Sequence, residues 1–161
     1  MKFILFVEGH TEKVLPKFLK KWLDPKLAKP VGIKTVRFEG WPELIKDTPL
    51  KAKMYLHDPK QDDIIAVISL LDLYGPTIYP KNLTDPEKRY DWAKKHIEAK
   101  VNQKKFFQFF AVHEVEAWLL SQPEIFSSKI REAFPKKIQN PEKVNFDEPP
   151  AKMLEALYKK Q

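Results

Sequence analysis

Apolar residues fall along this chain in two kinds of grouping, short unbroken runs and runs spaced three and four apart, and the two kinds alternate. The first unbroken run, Phe3 to Val7, is aromatic and β-branched, which predicts a strand buried on both faces, as inside a parallel sheet. It stops at Glu8 and Gly9. Val14, Leu15, Phe18, Leu19, Trp22 and Leu23 then recur at helical spacing, with lysines at or beside the opposite face. Thr11 is placed to cap this helix, Glu12 suits its electropositive first turn, and Gly9 gives the connecting turn a permissive backbone. Pro16 lies just past the positions where a missing N–H is harmless, so a kinked or late-starting helix is expected.

The same alternation continues. "GIKTVRF" predicts a second strand ending near Glu39 and Gly40, and "WPELIKDTPLKAKMYLHD" predicts a helix opened by Trp41-Pro42-Glu43 and divided into two pieces by Pro49. Ile64 to Leu71 is the most hydrophobic stretch and is expected to be the central strand; it ends at Asp72, before a Gly75-Pro76 turn. A proline-punctuated loop leads to a helix from about Glu87 to Val101. A fourth strand, Phe106 to Val112, precedes a helix whose core face is Val115, Trp118 and Leu119. All four phenylalanines at 106, 107, 109 and 110 read as core strand and not as a base-stacking platform, by their hydrophobic run. Beyond Pro123 the pattern gives a short helix through Ile130 and Phe134, a loop, and a final helix from Ala151. Strands alternating with helices predict an α/β fold with a parallel sheet and right-handed crossovers. The expected organisation is one α/β domain over residues 1–122 with a small helical extension, 123–161, packed on it.

Composition adds limits to this outline. A chain of 161 residues that is 43% hydrophobic can bury a core of its own. With no cysteine there is no disulfide and no thiolate metal site, which is compatible with a reducing, cytoplasmic location. The first apolar run meets Glu8 too soon for a signal segment and no run reaches membrane-spanning length, so no membrane partner is expected. A net charge of +7 and a pI near 9.4 favour polyanionic partners, DNA or RNA, over a surface that still carries 22 acidic residues.

The candidate chemistry lies at the strand ends. Glu8, Asp72, and Glu114 with Glu116 follow three of the four expected strands, and in a parallel sheet those ends share one edge. Carboxylates brought together repel unless a cation joins them, and a hard ion such as Mg²⁺ or Mn²⁺, held by oxygen ligands, resolves the conflict. A basic protein with an acidic metal pocket suits phosphodiester chemistry, in which lysines hold the backbone while the ion activates water and stabilises the departing oxygen. One such acid alone reads as a helix cap; three coincident ones favour a site. His113 is a candidate to orient a ligand or shuttle a proton, set against an ordinary hydrogen-bonded junction residue, and it shares a helical face with Glu116 only if the helix has begun by then. The turn from Gly9 through Thr11 to Lys13 can bind phosphate through backbone N–H groups. Tyr74 reads as a packing or loop residue, and His10, His57 and His96 are assigned no function.

At these residues the sequence resembles a known pattern. "VEGHTE" at 7 to 12, "LLDLYG" at 70 to 75 and "HEVEAWLLSQP" at 113 to 123 are similar to the VEGxTE, D-x-Y-G and HExEALL motifs of the Toprim-like proteins of domain-of-unknown-function family 4276, with order and spacing kept from residue 1 to about 155. The resemblance implies a Toprim, Rossmann-like fold: a four-stranded parallel sheet between helices, shared with topoisomerases, primases and overcoming-lysogenisation-defect nucleases. In that superfamily a strand-end glutamate and a DxD pair organise Mg²⁺. Glu8 matches the glutamate and Asp72 the first aspartate, while Tyr74 stands where the second aspartate would be, leaving Glu114 or Glu116 to compensate. The resemblance further implies an ATPase partner and a setting in antiviral defence.

The expectation that follows is a metal-dependent nuclease. Its metal ligands are Glu8, Asp72 and one of Glu114 or Glu116, with Glu8, Asp72, His113 and Glu116 as catalytic residues and Gly9, Thr11 and Lys13 as phosphate contacts. The competing expectations are a non-catalytic module that binds nucleic acid, a nucleotide or a partner ATPase on the same edge, and an interaction subunit that only docks a partner.

Overall fold

The computed structural model describes residues 1–9, 15–121, 124, 126–132, 140 and 149–159. Its elements, in chain order, are β1 (Lys2–Glu8), α1 (Leu15–Leu23), β2 (Gly32–Phe38), α2 (Trp41–His57), β3 (Ile64–Asp72), α3 (Pro86–Val101), β4 (Phe106–Ala111), α4 (Val115–Leu120), α5 (Ser128–Glu132) and α6 (Pro150–Lys159). The four strands form one sheet in the order β2-β1-β3-β4, with β1 parallel to both its neighbours. This is the expected α/β fold with a parallel sheet and a short C-terminal helix. Among the described residues no helix is long and apolar enough to cross a membrane.

Contacts divide the chain into two compact units, Met1–Leu71 with Gly75–Phe110, and Asp72–Tyr74 with Ala111–Gln161. In the first unit, β1 occupies an interior position, and its run Ile4 to Val7 is buried throughout, as a strand flanked on both sides must be. Phe6 is enclosed by Phe38 at 5.3 Å and Tyr55 at 6.0 Å between ring centroids, joining β1 to β2 and α2. Helix ends follow local chemistry. The α2 N-cap, Gly40, has φ +92, and the Glu43 carboxylate one turn on accepts from the Glu39 N–H. The Asp85 carboxylate accepts from Lys88 N–H at the start of α3, and Asn102, at φ 50, closes its end by donating its N–H to Glu98 C=O.

Two expectations fail here. Pro49 does not divide α2, which runs unbroken from Trp41 to His57. The proline denies a hydrogen bond to the Ile45 carbonyl, but Leu44, Thr48 and Ala52, at fourfold spacing on either side of it, are fully buried and hold both halves to one axis. The β4 phenylalanines are not all core. Phe106 and Phe110 are buried, whereas Phe107 and Phe109 are each 42% exposed, because β4 is an edge strand and its side chains alternate between faces. Residues 10–14, where the expected kinked or late start of α1 would be read, lie outside the described residues. Phe134 lies outside the described residues.

The loop from Gly75 to α3 is held by aromatic contact. Tyr79 lies 6.3 Å from Trp92 between ring centroids, with the Arg89 guanidinium 5.2 Å from its ring. Burial pushes its phenol up to about 12, the Arg89 charge acting in the opposite sense.

This packing can be tested at two positions. Replacing Pro49 by alanine restores the missing hydrogen bond and raises unfolding free energy by about 1–3 kcal/mol, measured by urea denaturation. For Tyr79, the folded phenol holds its proton more tightly than the unfolded one, so its stabilising contribution is complete below about pH 10 and is lost as pH rises through about 12. Phenolate absorbance compared between the native protein and Tyr79→Phe is expected to show one tyrosine titrating late over that range.

Candidate functional site

The order β2-β1-β3-β4 reverses between β1 and β3, the switch point of an open parallel sheet, where ligands bind beyond the carboxyl ends of the strands. Glu8 is the last residue of β1 and Asp72 the last residue of β3.

In the first unit, β1 is paired with β2 to its final residue, Glu8 opposite Phe38. The half-buried Glu8 is followed by Gly9 at φ +82, a conformation that strains any other residue even though a Cβ there would meet nothing within 4 Å. The Gly9 N–H donates to the Phe38 C=O at 3.4 Å, so this amide is directed at the sheet and not at a phosphate. Thr11 and Lys13, the other expected phosphate contacts, lie outside the described residues.

In the second unit, the segment Asp72–Tyr74 runs beside the exit of β4. The Leu73 N–H donates to the Ala111 C=O at 2.8 Å, and Leu73 itself is fully buried. This anchor fixes the residues on either side of it: Asp72 is half-buried, and Tyr74 emerges 54% exposed. Tyr74 stacks on His113, with ring centroids 6.4 Å apart and planes inclined by 26°. Tyr74 is thus an aromatic surface against the candidate histidine. α4 begins at Val115, so His113 precedes the helix and the condition for sharing a helical face with Glu116 is not met. Glu116 sits half-buried in the first turn of α4, where the helix field favours its negative charge.

Glu114 has a different occupation. It is the N-cap residue of α4 but makes no side-chain bond there; instead its Oε2 accepts the Ala151 N–H at 2.8 Å, in the first turn of α6. The reason can be read in "EPPAK": Pro149 and Pro150 occupy the start of α6, and neither offers a side chain that can cap it. α6 carries no acidic residue in its first turn, so a carboxylate from residue 114 satisfies the open N–H and faces the positive end of the helix. Sequence reading missed this partnership because the two residues are 37 apart; the uncapped proline pair was the available signal.

Among the described residues, no group of three or more His, Cys, Asp or Glu side chains is gathered to hold a metal ion.

Comparison with known protein families matches residues 7–161 to one of them, described as a domain of unknown function, DUF4276. No curated protein and no solved structure matches the chain.

Removing the Glu114 carboxylate is expected to loosen α6. Glu114→Ala should cost about 0.5–2 kcal/mol and speed amide hydrogen exchange across α6, whereas Glu114→Gln, which keeps an acceptor oxygen, should retain most of the protection.

Proposed function

The chain belongs to the family DUF4276, and from that premise we propose that it is a divalent-metal-dependent nuclease of Toprim type, hydrolysing phosphodiester bonds in DNA or RNA. The observation that carries this reading is that β1 and β3, neighbouring strands of the parallel sheet, each end at a carboxylate, Glu8 and Asp72. In the reading, Glu8 and Asp72 would be ligands of Mg²⁺ or Mn²⁺, with water and a substrate phosphate as further ligands. When bound, such an ion supplies Lewis acidity and charge neutralisation at the scissile phosphate.

The remaining roles belong to the chain's own groups. In this reading His113, whose ring stacks on Tyr74, passes a proton to the departing oxygen. Glu116 is assigned as the supporting acid in place of Glu114, whose carboxylate is engaged with α6. The net charge of +7 supports a polyanionic substrate by drawing it to the surface. An ATPase partner and a place in antiviral defence, both implied by the family resemblance, belong to the same proposal.

One observation favours a second reading, a non-catalytic module that binds nucleic acid or a nucleotide. Tyr74 replaces a metal-binding aspartate and presents an aromatic surface to solvent. That module would bind in a salt-sensitive way without turnover.

The deciding experiment incubates purified protein with labelled single- and double-stranded DNA and RNA, with Mg²⁺, Mn²⁺ or chelator. Chelator-sensitive cleavage is expected. Glu8→Ala and Asp72→Ala are each expected to reduce it to background with an unchanged melting transition. Cleavage retained in both variants rejects the assignment; binding without cleavage in any arm selects the module.

A further inference from the structure

β4 carries a feature that the proposed chemistry does not use. The Val67 N–H donates to the Lys105 C=O at 2.9 Å, which in a parallel ladder sets Val67 beside Phe106. Phe107 and Phe109 therefore share a sheet face with Ile68 and Leu70, two apart on one strand, and each is 42% exposed. Two phenylalanines held this way by a rigid strand are unfavourable to leave in water without a ligand.

The surroundings are cationic. The Lys94 ammonium lies 4.8 Å from the centroid of the Phe109 ring, and Lys104 and Lys105 are both exposed immediately before the strand. Lys94 and Glu98 form an ion pair at 2.6 Å, so the net positive charge beside the rings comes from Lys104 and Lys105.

The edge itself is closed to another strand. At Gln108 the outward N–H donates to Glu98 Oε1 at 2.9 Å, and the outward C=O accepts from Lys94 Nζ at 3.0 Å. A second copy adding its own strand to β4 would have to displace both. What remains available is the face, not the edge.

We propose that Phe107 and Phe109 form a stacking platform for single-stranded nucleic acid, two bases lying on the rings while Lys104 and Lys105 hold the adjoining phosphates. Aromatic residues at alternate positions of a sheet strand, beside lysines, are how such surfaces bind unpaired bases, and a duplex cannot use them because its bases are already stacked. The platform goes beyond the nuclease reading and does not depend on it, since binding needs neither metal nor turnover.

The test is fluorescence anisotropy of the full chain in chelator, with labelled single-stranded DNA and RNA oligonucleotides, their duplexes, and an abasic strand of equal length and charge. Tighter binding of the single strands than of duplex or abasic strand is expected. The double variant Phe107→Ala with Phe109→Ala should lose about tenfold affinity or more per ring, and Phe107→Tyr with Phe109→Tyr should restore it. The DNA and RNA arms identify which polymer is preferred. Equal affinity for the abasic strand overturns the proposal using the native protein alone, whatever the variants do. So does a double alanine variant that melts normally and binds as the native chain does, or sedimentation showing a dimer of the native chain that the variant abolishes. Absence of cleavage in the nuclease assay leaves this result unaffected.

Discussion

The structure depends on β1 being paired along both edges. A strand in that position has no face or edge open to water, so its interior must be apolar and its backbone must find every partner in the ladders. Ile4 to Val7 meet the first demand, and the registers with β2 and β3 meet the second. The same constraint makes the end of the strand chemically distinctive. The ladder with β3 ends at Val7 while that with β2 runs on to Glu8, so a charged group becomes tolerable where one edge is released, and the residue at that point is Glu8. β3, the other interior strand, behaves in the same way and ends at Asp72. Carboxylates at these two places follow from the architecture as much as from any activity.

The second unit shows how one acidic segment can divide its tasks. In "HEVEAW", His113 stacks on Tyr74, Glu114 reaches the start of α6, and Glu116 sits in the first turn of α4. The Glu114 contact is charge-assisted and meets a helix end that its own two prolines leave uncapped, so it ties the C-terminal helix to the segment carrying His113.

β1 and β3 were legible in the sequence as apolar runs bounded by charge or by turn residues, β4 as an aromatic run interrupted only by Gln108, and β2 by its partial alternation. Their parallel arrangement followed from the helices between them. The position of α2 was legible but its continuity was not. Local propensity says that Pro49 breaks a helix, and only the burial of Leu44, Thr48 and Ala52 overrides it. Glu8, Asp72 and His113 were legible as strand-end residues, the last of them because the helix signal begins just after it. The role of Glu114 was not, since periodicity describes neighbours along the chain and carries no information about a partner 37 residues away.

The β4 phenylalanines expose a different limit of pattern reading. A run such as "FFQFF" has no apolar–polar alternation, so it implies burial on both faces, and that inference holds only for a strand with neighbours on both sides. β4 has one neighbour, β3. Its free edge is sealed by Glu98 and Lys94, the usual defence against unwanted strand pairing. A chain that protects the backbone of an edge strand in this way yet leaves two aromatic rings in solvent on its face has removed the route to aggregation while keeping the apolar surface. With the edge occupied at Gln108, it is the face carrying Phe107 and Phe109 on which the proposed stacking rests.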